Sequence, residues 1–147
     1  MSSTKTSDPA RTADVLHSAA IHLLRRLRKT DEKAGLSAAR LSVLSVLVFA
    51  GDKTLGELAR LEQVKPPTIT KLVQALEVDG FVTRKAITHD KRAAKIMATT
   101  KGRTQLIKAQ QYRIRNLTEL IKNLHQDEIN ILEKASLLME ELSTPSA

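Results

Sequence analysis

The stretch Lys65-Pro-Pro-Thr-Ile-Thr-Lys-Leu-Val-Gln-Ala-Leu76 contains neither Asp nor Glu, and it decides how the rest of the chain is read. Pro66 and Pro67 suit the first turn of a helix, whose N–H groups have no intrahelical partner to lose. Ile69, Leu72, Val73 and Leu76 follow at offsets 0, 3, 4 and 7, the spacing of one buried helical stripe. The opposite face carries Pro67, Thr70, Lys71 and Gln74, with Thr68 beside them. These are small, hydrogen-bonding and cationic groups, and Asp79-Gly80 marks the stop. A helix that enters the major groove of duplex DNA needs such a face, because a carboxylate there would meet phosphate repulsion.

Upstream, Thr54-Leu-Gly-Glu57 has the capping-box spacing and opens a short helix containing Leu55, Leu58 and Leu61. The turn Glu62-Gln63-Val64 joins it to the acid-free helix. Two short helices joined by a three- or four-residue turn have the helix-turn-helix layout. Downstream, Phe81-Val-Thr-Arg-Lys85 is β-rich, and Ala93 to Ala98 can turn Ala94, Ile96 and Ala98 toward a core. Between them lie His89, Asp90, Lys91 and Arg92, the tip of a β-hairpin wing. Arginine at such a tip suits the concentrated negative potential of a narrow minor groove. Asp90 is expected to orient Arg84 or Arg92 at the hairpin base instead of facing DNA.

Further out, the first helix is expected over 10–34, where Val15, Leu16, Ala19, Ala20, Leu23, Leu24 and Leu27 share one face. Ser37 is the expected N-cap of a second helix that stops at Gly51. Ile107, Gln110, Ile114, Leu117, Ile121 and Leu124 alternate by three and four, a coiled-coil-like seam. After Gln126-Asp127, a last helix has too many apolar positions for one stripe, which predicts packing on two sides, one of them a second subunit. The resulting division is a tail at 1–9, a dimerisation helix at 10–34, a winged helix-turn-helix at 35–100, dimerisation helices at 101–142 and a tail at 143–147. The fold class is mainly α, with six helices and one small β-hairpin.

Charge agrees with this division. The chain of 147 residues carries a net +8, yet Lys65 to Arg103 holds nine Lys or Arg against three acids. His125 to Ala147 has one Lys and five acids, so the polyanion-facing part lies in the middle. There is no cysteine, which excludes disulfides, thiolate metal sites and thiol redox sensing. No phosphate-binding glycine loop, nucleophile elbow or His-Glu-x-x-His helix is present, so the sequence points to no enzyme and to no cofactor. His17 and His22 stand five apart, about 140° around a helix, and do not make a metal pair. No apolar run reaches the roughly 20 residues that span a bilayer, and Met1 to Pro9 lacks the apolar middle of a secretion signal. A cytoplasmic protein is expected.

Leu55-Gly-Glu-Leu-Ala59, Pro67 to Val73, Leu76-Glu-Val-Asp-Gly-Phe-Val82, Arg84, Asp90-Lys-Arg92 and Thr99-Thr-Lys-Gly102 together resemble the MarR (multiple antibiotic resistance regulator) family. The resemblance runs in order from the first helix to the last. It implies a homodimer held by the terminal helices, pseudo-palindromic operators, usually repression, and in many members a small anionic or phenolic effector. The residues of the DNA-binding site are then Pro67, Thr68, Thr70, Lys71, Gln74, Arg84, Lys85, His89, Asp90 (as the orienting carboxylate), Lys91 and Arg92, and the effector site is left unassigned. The competing reading is a winged-helix module that binds another protein. It would call for a neutral surface where this chain places cations.

Overall fold

The computed structural model describes residues 7–31, 33, 35–87 and 94–144. Six helices and three strands follow in the order α1 (Pro9–Asp31), α2 (Ala38–Ala50), β1 (Lys53–Thr54), α3 (Leu55–Leu61), α4 (Pro66–Val78), β2 (Val82–Lys85), β3 (Lys95–Ala98), α5 (Thr100–Ile121) and α6 (Gln126–Ser143). The chain divides into two units between Arg113 and Ile114, within α5.

In the first unit the caps decide where each helix starts and stops. Ser37 Oγ accepts from the Arg40 N–H at 3.3 Å and opens α2, and Gly51, at φ 82°, follows its last turn. The Thr54–Glu57 capping box is complete. Thr54 N–H donates to the Glu57 carboxylate at 2.8 Å, and Glu57 N–H donates to Thr54 Oγ1 at 3.2 Å. The Thr54 backbone bond, with smaller help from Lys53 and Lys95, holds the Glu57 carboxyl below the usual carboxylate range. α4 ends in a Schellman motif: Phe81 N–H reaches the Leu76 carbonyl at 2.9 Å and Gly80 N–H reaches that of Glu77 at 2.9 Å. Gly80 supplies the positive φ of 76° this turn requires.

The core is aliphatic, as a chain with only three aromatic residues must build it. Leu41, Val43, Leu44 and Leu47 of α2 meet Leu58 of α3, Ile69, Val73 and Leu76 of α4, Val82, Ile96, and Leu106 and Ala109 of α5. Leu72 packs against this cluster without being fully covered.

The sheet has one strand more than the expected hairpin. Its order is β1-β3-β2, all antiparallel, with Lys53 opposite Ile96 and Thr54 opposite Lys95 on one side. Two residues are too few to carry a periodicity, so β1 exists through its pairing with β3. On the other side Val82 faces Ala98, Thr83 faces Met97, Arg84 faces Ile96 and Lys85 faces Lys95.

α1 stops at Asp31, three residues short of the expected 34, and its apolar face is largely uncovered, with Val15, Ile21, Leu23 and Leu24 exposed. Asp31 itself is 1% exposed and receives both Arg113 Nε and a terminal nitrogen at 2.6 Å. This bidentate pair pins the end of α1 to α5, and the Asp31 carboxylate holds the Arg113 pKa above its ordinary value.

In the second unit, α5 ends at Ile121, so Leu124 falls in the turn beyond it and is not part of the helical seam. The Glu128 carboxylate accepts from the His125 N–H at 2.9 Å, which starts α6. α6 buries none of its residues, and Ile131, Leu132, Leu137, Leu138, Met139 and Leu142 are all exposed. It continues through Ser143, one residue past its expected end.

Candidate nucleic-acid interface

α3 and α4 are joined by Glu62 to Lys65, and the turn is closed locally. Glu62 N–H bonds the Leu58 carbonyl at 2.9 Å, and Val64 N–H bonds that of Ala59 at 3.0 Å. Gln63 takes a φ of 54° there, a left-handed conformation uncommon outside glycine. This tight corner folds α3 back on α4 and α4 on α2 while the outer face of α4 stays free.

That outer face is the one expected. Pro67, Thr68, Lys71 and Gln74 are exposed and Thr70 is half-buried. The Thr70 hydroxyl donates to the Pro66 carbonyl at 2.9 Å, so its proton is already engaged. Among these groups Lys71 and Gln74 keep long polar side chains available to an incoming ligand, with no acid from residue 65 to 76 to oppose an anion.

Glu77, just after the acid-free run, is spoken for. Its carboxylate accepts from Arg84 Nε at 2.7 Å, so the end of α4 holds the inner face of β2. The expectation that Asp90 orients Arg84 or Arg92 concerns a segment outside the described residues. Arg84 already has a carboxylate partner that sequence reasoning overlooked. The clue was available: Arg84 sits opposite the inward Ile96 in the strand register, so its side chain starts on the α4 side of the sheet. Lys85, one residue on, is exposed on the other side. His89, Asp90, Lys91 and Arg92 likewise lie outside the described residues.

The turn after α4 is tied from two further directions. Arg40 of α2 pairs with the Asp79 carboxylate at 3.3 Å. Lys101 donates to the Asp79 carbonyl at 2.7 Å and lies 5.2 Å from the Phe81 ring centroid. The Thr99 hydroxyl donates to the Gly80 carbonyl at 2.6 Å and accepts from the Gly102 N–H at 3.0 Å. α4, the sheet and the start of α5 thus share one polar joint. Arg40 is committed to this joint.

A cleft of about 270 Å³ opens elsewhere in the first unit. Arg28, Ser45 and Arg113 line its polar side, and Leu41 and Leu106 its apolar side. Arg25 and Arg26 do not reach it. Among the described residues no three His, Asp or Glu side chains are placed to hold a metal ion. No described helix is long and apolar enough to cross a membrane.

A helix-turn-helix followed directly by an antiparallel sheet, with an aliphatic core beneath both, defines a winged helix-turn-helix protein. Residues 36–94 match the MarR family. An HTH-type transcriptional regulator of Mycobacterium leprae is 33% identical over 133 residues, covering 90% of this chain and 93% of that protein. The HTH-type transcriptional repressor YetL of Bacillus subtilis is 33% identical over 102 residues, 68% of this chain and 61% of its own length. Among solved structures, wild-type MarR from E. coli superposes with a TM-score of 0.71 at 26% identity, covering 95% of this chain and all (100%) of that one. The chain belongs to the MarR family of transcriptional regulators and is not an enzyme.

Proposed function

We propose that this regulator is a sequence-specific repressor that binds a pseudo-palindromic DNA operator as a homodimer in the cytoplasm. The observation that carries the reading is the exposed, acid-free outer face of α4. In this reading α4 of each protomer enters one of two successive major grooves. Lys71 meets phosphate, Gln74 pairs with an adenine edge, and the Thr68 and Thr70 methyls meet thymine methyl groups. Arg84, Lys85 and the wing residues His89, Lys91 and Arg92 serve the flanking backbone and minor groove, Asp90 orients a wing arginine, and Pro67 sets the approach of the helix N-terminus. The exposed apolar faces of α1 and α6 provide the surface for a second copy, since patches of that kind on a single chain mark an interaction site. The cleft beside Arg28 and Arg113, cationic on one side and aliphatic on the other, suits a small anionic, phenolic-type effector that would relieve repression. The name of the B. subtilis relative, a repressor, supports the direction of control.

The test is a salt-titrated binding assay with duplex from the gene's own upstream region against unrelated duplex. If a dimer neutralises about eight phosphates, log affinity falls with log salt at a slope near −7. Preference for the upstream duplex with two protomers per site is the expected result. A slope near zero, or equal weak binding to both duplexes at every salt concentration, would refute it.

A further inference from the structure

Cross-strand register places two lysines where a sheet does not usually put them. Ile96 is fully buried, so the residues paired with it, Arg84 on one side and Lys53 on the other, start on the core face of the sheet. The alternate residues point outward, and there Lys85 lies directly opposite Lys95. Directly opposed residues have Cβ atoms about 5 Å apart, and like charges at such positions destabilise the pairing. Both side chains are exposed. Among the described residues neither ammonium lies in ion-pair contact with a carboxylate. Glu57 feels the field of Lys95, yet its carboxylate is engaged on the Thr54 N–H at 2.8 Å.

A sheet stabilised by its own strands would place a Glu or a Thr at one of these two positions. Lys85 on the edge strand β2 also discourages edge-to-edge pairing, but the second lysine opposite it on the central strand gains most when an anion bridges the two. The site is flat and solvent-facing, which suits a phosphate presented by a long polymer better than a small ligand needing enclosure. It also stands on the hairpin that directly follows α4, in the part of the chain where the cations are concentrated.

We propose that Lys85 and Lys95 form a two-lysine clamp for one backbone phosphate of duplex DNA, on the outer face of the wing's neck and separate from the groove contacts of α4. This rests on the DNA-binding reading above and adds Lys95, a residue outside the expected interface. A phosphate contact carries no base information, so the clamp sets affinity and register and leaves sequence preference to α4.

The experiment uses full-length Lys95→Gln and Lys95→Glu proteins in the salt titration, with specific and unrelated duplex, beside thermal unfolding of each. The phosphate is held by both lysines together, so a clamp without Lys95 releases it, and losing one neutralised phosphate per protomer makes the log–log slope shallower by about 0.9, or about 1.8 for two protomers. At 0.15 M salt that corresponds to a loss of about 30-fold, equal for both duplexes. The fold should not suffer: Lys95→Glu places a carboxylate opposite Lys85, so its thermal midpoint should equal or exceed that of the unmodified protein. Unmodified protein that binds steeply with salt while both variants keep its slope and affinity would overturn the clamp and leave the regulator reading standing. Unmodified protein that fails to bind duplex at low salt would overturn both. A Lys95→Glu protein that loses binding to polyglutamate but keeps its duplex affinity would give the pair to an acidic protein partner and overturn the clamp. A lower thermal midpoint in both variants would make Lys95 a packing residue and overturn it as well.

Discussion

Replacing Gly102 by Ala separates two opposed expectations. On helix propensity alone, an added methyl inside α5 should stabilise the protein by about 1 kcal/mol. The structure argues the reverse. A Cβ at Gly102 would stand 2.1 Å from the Phe81 carbonyl oxygen, 3.0 Å from its carbon and 3.1 Å from Leu44 Cδ1. Carbon and oxygen need about 3.3 Å, so one of the two backbones must retreat by about 1.2 Å. Neither does so freely. The Phe81 carbonyl accepts the Thr99 N–H at 3.0 Å, and the Phe81 N–H closes the turn after α4 on Leu76. Leu44, on the third side, is fully buried. Overpacking costs about 1–3 kcal/mol, and straining or breaking the Phe81–Thr99 bond adds about 1–2 kcal/mol. After the propensity gain of about 1 kcal/mol is subtracted, a net loss of about 1–4 kcal/mol remains, centred near 2.5 kcal/mol. For a chain of this size that central value lowers Tm by roughly 5–10 °C. Thermal and urea unfolding, followed by far-ultraviolet circular dichroism at one fixed protein concentration, would measure it. A Gly102→Ala protein as stable as the unmodified one, or more so, would refute the packing argument.

Two other substitutions test polar contacts. Arg113→Gln leaves the buried Asp31 carboxylate without its cation and should cost about 3 kcal/mol in urea unfolding. Asp31→Asn removes the charge together with its partner's need and should cost about half as much, so equal losses would show that the burial of Asp31 does not govern the pair. Glu77→Gln removes an acid near the proposed DNA surface, and charge alone would tighten binding. If Glu77 positions Arg84, specific binding instead weakens about three- to fivefold while unrelated duplex is bound at least as well, read as the ratio of the two affinities. A gain on both duplexes would dismiss the positioning role.

The helices were legible because their signals are local. Pro66-Pro67, the Thr54 to Glu57 spacing, Ser37 and the glycines at 51 and 80 each act within four residues of themselves, and each does its expected work in the structure. Ile69, Val73 and Leu76 declared the inward face of α4, which fixed its outward face as well. Contacts between distant residues gave no such notice. Asp31 and Arg113 are 82 positions apart, and nothing in either neighbourhood marks the other. β1 is too short to have a pattern, and Leu124 continued a numerical spacing after the helix itself had ended. The partner of Arg84 was sought in the wing, where the charges cluster, although strand alternation turned that side chain toward α4. Apolar faces on α1 and α6 could be read from periodicity. Their exposure could not, because periodicity says which side is apolar without saying what covers it.

The contact between Gly102 and Phe81 also bears on how displacement passes within the first unit. Backbone touches backbone there, with no side chain between to change rotamer and absorb a shift. From Gly102 to Arg113 the helix α5 runs on for about 16 Å at the rise of ~1.5 Å per residue. A shift of the turn that ends α4 therefore reaches the Arg113–Asp31 pair through helical backbone, and the end of α1 is coupled to the end of α4 without a rotamer in between.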